Sequence, residues 1–453
     1  MNFSLLFHRS IYAQYLSLAL LVSGSVVAQD FGSTENRLDV GVQFRPRLEF
    51  REGAFRPLNK GEKPAALISQ RTRISMDYQY DDKLSIRISP QNVGVWGQAN
   101  MVQGVENSGN RISLFEAWAK LNLSSTWSMK MGRQVISLDD ERIFGELDWA
   151  QGGRAHDALA VHMQKDDVEF KSFFAFNQNY EVNYGNNINN PSGNYYNTQD
   201  AFPYKWMQTL WAGFDLDNRS KISLLATNLG LQNYHSDNPG QDTSTYFTQI
   251  LGANYFFMGN AVKGQLSGYY QGGKDQKGTK MNAYLFSVAL DYGFHPSWQI
   301  GVGSDLLSGN DVGSTTDKNK AFNPYFHTGH KFYGGMDYFY VGNAHGNVGL
   351  SDTYLRLNYK SDKGLSLGAA FHQFFTPNAI DSGRENYSKN LGQELDFTFG
   401  YTLHKFASLV GGYSFYLNTS TVDYLKNVTD AGGYQQWAWL SVNITPKIFT
   451  AKW

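Results

Sequence analysis

Hydrophobic and polar residues alternate along several short stretches of this chain. In segment 73–80, RISMDYQY, every second residue is apolar and the residues between them are polar. Segments 353–360, 365–372 and 394–403 repeat the pattern. Because successive side chains of a strand point to opposite faces, this alternation predicts β-strands with one apolar and one polar face.

The connections between these stretches have two lengths. Short ones are centred on residues 81–83, 361–364 and 404–406. Long ones, rich in Asn, Gly, Ser and Tyr, cover residues 177–205, 230–246, 308–345 and 375–393. Long irregular connections are unusual in a compact soluble domain, whereas a membrane barrel has short periplasmic turns at one rim and long extracellular loops at the other. The pattern therefore predicts an all-β fold, a transmembrane antiparallel β-barrel.

The length of the chain sets the number of strands. After an N-terminal export signal, about 425 residues supply about 16 to 18 strands with their connections. Backbone groups in lipid must be hydrogen-bonded, so the strands have to close into a barrel, and a barrel of this size has an aqueous interior. A secreted β-sandwich or propeller is the alternative, because alternation alone does not identify lipid as the apolar environment. No fixed propeller repeat is visible.

The first 28 residues have the parts of a secretory signal peptide. His8 and Arg9 lie before a mostly apolar stretch at 16–22, and the small residues Val26 and Ala28 stand at the −3 and −1 cleavage positions. A signal anchor is the alternative. We expect residues 1–28 to be the signal and residues 29–453 to be one barrel domain in the outer membrane of a Gram-negative bacterium.

The composition of the chain limits the kinds of partner that it can have. The chain has no cysteine, which excludes disulfides, and a net charge of −1, which argues against a nucleic-acid partner. The C-terminal stretch, with aromatic residues at Trp437, Trp439, Phe449 and Trp453, is typical of barrels delivered to the outer-membrane assembly machinery. Pro446 interrupts it, which leaves open which part is the closing strand. The expected surroundings are a lipid bilayer with lipopolysaccharide, and periplasmic secretion partners are a further expectation.

Arginines are concentrated in the first third of the chain, where 12 of the 16 fall between Arg37 and Arg154. Several share the polar face of a predicted strand, which would point into the lumen, with acidic residues among them. The basic members are Arg45, Arg47, Arg71, Arg73 and Arg87, and the acidic ones include Asp77 and Glu116. Guanidinium groups match carboxylates with two parallel hydrogen bonds, so such a wall suits a channel for anions. Arginine–carboxylate networks that only brace the wall are the competing interpretation.

The segment between residues 132 and 158 carries a set of motifs. They are GRQ at 132–134, DERIFG at 140–145, Trp149, and GRAHDA at 153–158. Further motif positions lie at 308–311, 317–324, 330–332, 336–339, 392–396 and 437–439. Together they resemble the outer-membrane alginate export family. The resemblance implies an 18-stranded barrel, with 16 strands as the alternative, whose electropositive constriction conducts a polyuronate, and it makes Arg133, Arg142 and Arg154 candidate lumen or constriction residues.

Other chemistry is weakly indicated. No G-x-S-x-G elbow is present, so no catalytic residue is assigned and the chain is not expected to be an enzyme. The pairs His156/His162 and His327/His330 read as ordinary barrel and loop histidines, and no metal or cofactor is expected apart from a calcium alternative at Asn310–Asn319. The sequence thus predicts a channel that passes an anionic, alginate-like polysaccharide or its oligomers by passive diffusion. A general porin and, further off, an outer-membrane hydrolase are the alternatives.

Overall fold

The structure, a computed structural model, describes residues 35–98, 112–176, 204–232, 245–313, 317–339, 347–383 and 385–453. The predicted signal peptide and most of the predicted long connections 177–205 and 230–246 lie outside these ranges. Among the described residues, no helix is both long and apolar enough to cross a bilayer.

One antiparallel sheet of 19 strands makes up the fold. Its strands are β1 (Arg37–Glu52), β2 (Ala65–Tyr80), β3 (Leu84–Val95), β4 (Ile112–Asn122), β5 (Trp127–Gln134), β6 (His156–Lys165), β7 (Val168–Phe176), β8 (Tyr204–Asp217), β9 (Ser220–Gln232), β10 (Thr245–Met258), β11 (Val262–Gly273), β13 (Ala283–His295), β14 (Trp298–Leu307), β16 (Leu350–Lys360), β17 (Leu365–Phe375), β20 (Asn390–His404), β21 (Ala407–Leu417), β22 (Gln435–Ile444) and β23 (Lys447–Lys452).

Short elements lie in the connections. They are the two-residue strands β12 (Lys280–Met281), β15 (Lys318–Asn319), β18 (Ile380–Asp381) and β19 (Asn386–Tyr387), a 3-10 helix (Gly329–Lys331) and the helix α1 (Ser420–Leu425). The hydroxyl of Thr419 caps α1 by accepting a hydrogen bond from the backbone N–H of Val422.

The sheet closes on itself at β1, which pairs with both β22 and β23. These two strands are consecutive pieces of one closing strand, so the 19 strands form a barrel of 18. Pro446 separates them because proline has no N–H to give to the ladder. The Pro446 carbonyl still accepts a hydrogen bond from Val42 N–H at 3.0 Å. The predicted 18-stranded barrel is confirmed, and both sides of Pro446 take part in closure.

The two faces of each strand differ as the alternation predicts. In β1, the outward Leu48 has 49% of its surface exposed, while the inward Arg47 has only 7% exposed. Leucine outside and arginine inside is the reverse of a soluble protein. It is the arrangement of a barrel whose outer surface meets hydrocarbon.

The predicted short turns, which follow Tyr80, Lys360 and His404, lie at one rim. The longer connections leave the other rim, and two of them fold back into the barrel rather than away from it. We call residues 135–155 the first inner loop and residues 317–339 the second inner loop. They carry large apolar residues, such as Phe144 and Met336, that have no measurable exposure. Burying these side chains inside the barrel removes apolar surface from water, which is why the loops turn inward.

Candidate functional site

The two inner loops join each other inside the barrel. Gly145 N–H donates to the Phe326 carbonyl at 2.8 Å, and Phe326 N–H donates to the Ile143 carbonyl at 3.1 Å. A third bond runs from Thr328 N–H to the Glu141 carbonyl at 3.1 Å. The loops therefore form one unit, and its anchors on the surrounding strands decide what can pass.

One anchor lies on β1 and β2. The Asp148 carboxylate pairs with Arg71 at 2.7 Å and with Arg45 at 3.1 Å, and Arg47 donates to the Trp149 carbonyl at 2.8 Å. Burial tends to raise the pKa of Asp148, but the charges of Arg71 and Arg45 outweigh it and lower that pKa. These three arginines are at most 8% exposed. Each of them donates at least one hydrogen bond to the first inner loop.

A second anchor lies on the far wall. Arg142 of the first inner loop pairs with Asp305 of β14 at 2.8 Å and with its neighbour Asp140 at 2.7 Å. Its guanidinium also lies over the Phe332 ring at 4.3 Å. Burial tends to lower the pKa of Arg142, but Asp305 and Asp140 raise it well above its usual value. Arg142 is thus a buried cross-link between loop and strand.

Arg154 ties the two inner loops together. Its guanidinium donates to the carbonyls of His327 at 2.9 Å and Gly145 at 3.4 Å, and also to that of Phe326. No described carboxylate forms an ion pair with it, and burial lowers its pKa to about 10. Carbonyl bonds at a loop junction indicate a structural role for this arginine.

Trp149 connects the anchors. The Arg47 guanidinium lies 4.1 Å from the centre of its ring, and the His330 imidazole stacks on it at 3.8 Å. His330 in turn contacts the Asp337 carboxylate at 3.1 Å. A single indole therefore joins β1, the first inner loop and the second inner loop.

The remaining predicted lumen residues lie nearer the short-turn rim. Arg87 pairs with Asp77 at 2.5 Å and with Glu116 at 3.0 Å, and about a third of its side chain (36%) stays exposed. Arg73 donates to the Gln91 side chain at 2.7 Å, and its guanidinium lies 3.5 Å from the centre of the Phe115 ring. The polar residues share the inward phase of their strands. Phe115 lies at the irregularity in the β3–β4 ladder, and its buried ring faces the same side.

Arg133 corrects the prediction that it lines the lumen. It pairs in register with Asp157, in phase with Met131, which is 63% exposed on the outer face. Its guanidinium forms two bonds to Asp157, at 2.7 and 2.9 Å, and this pair is 44% and 53% exposed. The GRQ motif identifies a family position but not the side of the wall, and here the phase of β5 turns Arg133 outward. A charged pair on the outer face near the rim of a barrel destabilises the fold only slightly.

Lysines supply cations that the sequence analysis missed. Lys120 of β4 and Lys130 of β5 face each other directly across the ladder, on the inward side. Neither forms an ion pair with a carboxylate in the described part of the chain, and Lys130 lies 4.9 Å from the centre of the Trp118 ring. Like charges directly opposite each other destabilise a sheet, so packing does not explain this pair. The alternation of apolar and polar residues in β4 and β5 is enough to predict that both lysines face inward.

Further lysines continue this surface. Lys171 of β7 pairs with Glu169 at 2.8 Å, and Lys221 of β9 lies 3.6 Å from the same carboxylate. Both ammonium groups lie near Trp211, at 4.8 and 5.2 Å from the centre of its ring. We call the basic wall the inward cations Arg73, Arg87, Lys120, Lys130, Lys171 and Lys221.

The opposite side of the lumen is acidic. Its inward carboxylates are Asp291, Asp305, Asp352, Glu394 and Asp396, on β13, β14, β16 and β20. Arg356 pairs with Asp291 at 2.6 Å, and His372 contacts Asp352 at 3.0 Å. The lumen therefore has a positive and a negative side.

No group of three or more His, Asp or Glu side chains among the described residues is arranged to hold a metal ion. In the described part of the calcium alternative, the Asn319 side-chain oxygen already accepts from Asn310 at 3.0 Å. The two barrel histidines have separate partners: His156 contacts the Tyr204 hydroxyl at 2.9 Å, and His162 contacts Glu169 at 3.0 Å.

Comparison with known proteins gives a family match over part of the chain and a fold. Residues 36–176 match the alginate export family. No curated protein matches the chain. Similar solved structures include Pseudomonas aeruginosa OpdL, at 12% identity and a TM-score of 0.59, covering 91% of this chain and 99% of that one. Acinetobacter baumannii OccAB2 is similar at 11% identity and a TM-score of 0.57, covering 91% of this chain and 98% of that one.

A third similar structure is Pseudomonas aeruginosa OpdK with vanillate, at 11% identity and a TM-score of 0.56, covering 92% of this chain and 99% of that one. These neighbours are outer-membrane β-barrel porins of the OprD/Occ family. The family match covers β1 to β7, which carry the basic wall except for Lys221. The chain is therefore an outer-membrane β-barrel channel that matches the alginate export family over residues 36–176.

Proposed function

We propose that this channel passes an anionic polysaccharide, an alginate-like polyuronate or its oligomers, by passive diffusion along the basic wall. The observation that carries the proposal is the Lys120–Lys130 pair. Two inward cations face each other, and neither forms an ion pair among the described residues; the nearby Glu116 carboxylate is paired with Arg87 instead. The carboxylates of a passing polyuronate would supply the negative charge that these two lysines lack.

The contacts divide the cations into two groups. Arg45, Arg47, Arg71, Arg142 and Arg154 brace the inner loops, so the bracing interpretation fits them best. The basic wall keeps partly exposed charge, as Arg87 illustrates at 36%. A channel needs several sites of moderate strength, because one very tight site would stop transit. Ammonium groups on flexible stems suit that role better than locked guanidinium forks.

The acidic side of the lumen supports the same assignment. The carboxylates on this side are either buried, as Asp305, Asp352 and Glu394 are, or paired, as Asp291 is with Arg356. An anionic chain therefore finds its exposed counter-charges on the basic wall. A polyuronate would then travel with its carboxylates facing the lysines. The interior carries both signs, which limits how tightly any one segment of the polymer is held.

The surroundings belong to the same proposal. Lipopolysaccharide would surround the rim at which the outward pair Arg133–Asp157 lies. The outer-membrane assembly machinery would bind the C-terminal strand, which Trp453 follows. Periplasmic secretion partners would meet the rim of short turns. The proposed role is conduction without catalysis.

Replacing both Lys120 and Lys130 with glutamine is expected to reduce anion preference strongly while the barrel stays folded. The reason is that two positive charges without a paired carboxylate leave the lumen wall, which weakens the field that attracts anions. The measurement is the reversal potential of purified protein in planar bilayers under a salt gradient, together with current block by oligouronates. We expect the wild type to be anion-selective and blocked by them.

The matched control is Arg133→Gln, which removes a positive charge from the outer face of β5, the strand that carries Lys130, and should leave the reversal potential unchanged. A wild-type channel without anion preference and indifferent to polyuronates would favour a general porin. Ester or peptide turnover would favour an outer-membrane hydrolase. Equal reversal potentials for wild type and the double lysine variant would remove the basic wall from the mechanism.

A further inference from the structure

A cavity of about 890 Å³ lies at the short-turn end of the lumen, against the wall opposite the basic wall. The turn His295–Ser297 forms part of its border. Inward side chains along it include Lys263, Asn358, Ser366, Thr398 and Trp439. Asn358, Ser366, Thr398 and Trp439 are neutral, whereas Lys263, together with Lys360 and His295 at the turns, is basic.

Trp439 of β22 lies flat against this wall because its cross-strand neighbour on β21 is Gly412. A Cβ atom at Gly412 would come within 2.5 Å of the indole Nε1, so any larger residue would push the ring off the wall. Tyr354 lies over Gly303 of β14 in the same way. A ring laid along the wall in this way presents a broad apolar surface to the lumen.

The indole is held in place but not covered. Trp149 of the first inner loop packs edge-on against it, with ring centres 4.7 Å apart. Trp439 nevertheless remains only half-buried and borders the cavity. Its position below the inner loops means that a solute meets it on the periplasmic side of the loop unit.

Exposed neutral polar groups border the same cavity. Asn358, Ser366 and Thr398 are all exposed on the inward face of β16, β17 and β20. The Ser366 hydroxyl makes a long bond to the Gly400 carbonyl at 3.4 Å, which leaves its lone pairs available. An amide and two hydroxyls offer both donors and acceptors, the set that matches sugar hydroxyls.

We infer that this cavity is a saccharide subsite in which one sugar ring of an oligosaccharide stacks on Trp439, while hydroxyls of neighbouring sugar units bond to Thr398, Ser366 and Asn358. That the bound sugar is anionic rests on the proposed function. The inference adds that the channel also recognises the sugar ring, in addition to its charge. The basic wall sets which charge enters, and the indole sets how long a sugar stays. A neutral oligosaccharide should therefore bind here as well, more weakly than an oligouronate.

The test uses full-length protein in planar bilayers and measures the residence time of two probes, a hexameric oligouronate and a neutral maltohexaose. Trp439→Ala is expected to shorten the residence of both roughly threefold to tenfold, since aromatic contacts of this kind contribute modest energies. Its reversal potential should equal that of the wild type. Gly412→Ala keeps the indole but displaces it from the wall, and should shorten residence in the same direction.

The matched control is Trp127→Ala, which removes an outward tryptophan of β5, 43% exposed, and should change neither quantity. Unchanged residence times in Trp439→Ala would overturn the inference while leaving the anion preference intact. Loss of anion selectivity in the double lysine variant, by contrast, tests the proposed function and not this subsite. If Trp439→Ala inserts poorly, Gly412→Ala and Trp439→Phe decide the question, because the phenyl ring of the latter variant should retain most of the residence time.

Discussion

Arg142→Leu is expected to detach the first inner loop from β14 and to raise single-channel conductance. The guanidinium and the Asp305 carboxylate it pairs with are 3% and 1% exposed. Removing one partner of such a buried pair leaves an uncompensated charge and typically costs about 3–5 kcal/mol. Asp140 would lose its partner as well. The measurements are conductance in planar bilayers and the temperature at which the barrel loses its heat-resistant mobility in detergent gels.

The double variant Arg142→Leu with Asp305→Leu is the control. Replacing both members of a buried pair with apolar residues is often neutral, so this variant should recover much of the thermal resistance. Conductance and thermal resistance that both stay at wild-type values in Arg142→Leu would show that the loop is held by other contacts. The hydrogen bonds of Asp139 to Trp211 and Ser223 are the ones that would then carry it.

Asp148→Asn is expected to loosen the same loop from β1 and β2. Two buried guanidinium groups, of Arg45 and Arg71, lose their shared counter-ion. Asp148 itself is 47% exposed, so solvent screens part of the loss, and we expect about 1–3 kcal/mol. The measurement is the frequency of spontaneous current fluctuations, which should rise as the loop moves more often.

The pH dependence has a definite sign. The folded pKa of Asp148 is below its usual 3.8, so its contribution is complete above that value and is lost as pH falls through the folded pKa. Wild-type fluctuations should therefore increase in strongly acidic solution, whereas those of Asp148→Asn should change less there. Parallel acid responses in the two proteins would contradict this assignment of the anchor.

Local pattern determines the barrel, which explains why the fold could be predicted. Alternation in segments such as 73–80 and 394–403 fixes which side chains face lipid, and closure follows from the need to pair every backbone group. The inward turn of the inner loops could not be predicted this way. It depends on contacts such as Arg142 with Asp305, which are 163 residues apart.

The candidate site was predicted in part for the same reason. Strand phase alone put Arg45, Arg47 and Arg71 on the inward face, where the structure has them, although it could not show that a loop covers them. Arg133 came from a motif instead, and the motif does not determine the phase. Lys120 and Lys130 follow the same rule, because the alternation of β4 and β5 places both on the inward face.

The seam of the barrel has a consequence for biogenesis. The last residue, Trp453, exchanges hydrogen bonds with Asn36, at 2.9 and 3.1 Å, beside the first strand. The strands that close the cylinder, β1 and β23, are far apart in the sequence, and pairing between such distant segments is slow. Until the six residues of β23 pair with it, the segment Arg37–Gly41 of β1 has unpaired backbone groups that lipid cannot hydrogen-bond. That edge of β1 therefore has to be kept covered until β23 has paired with it.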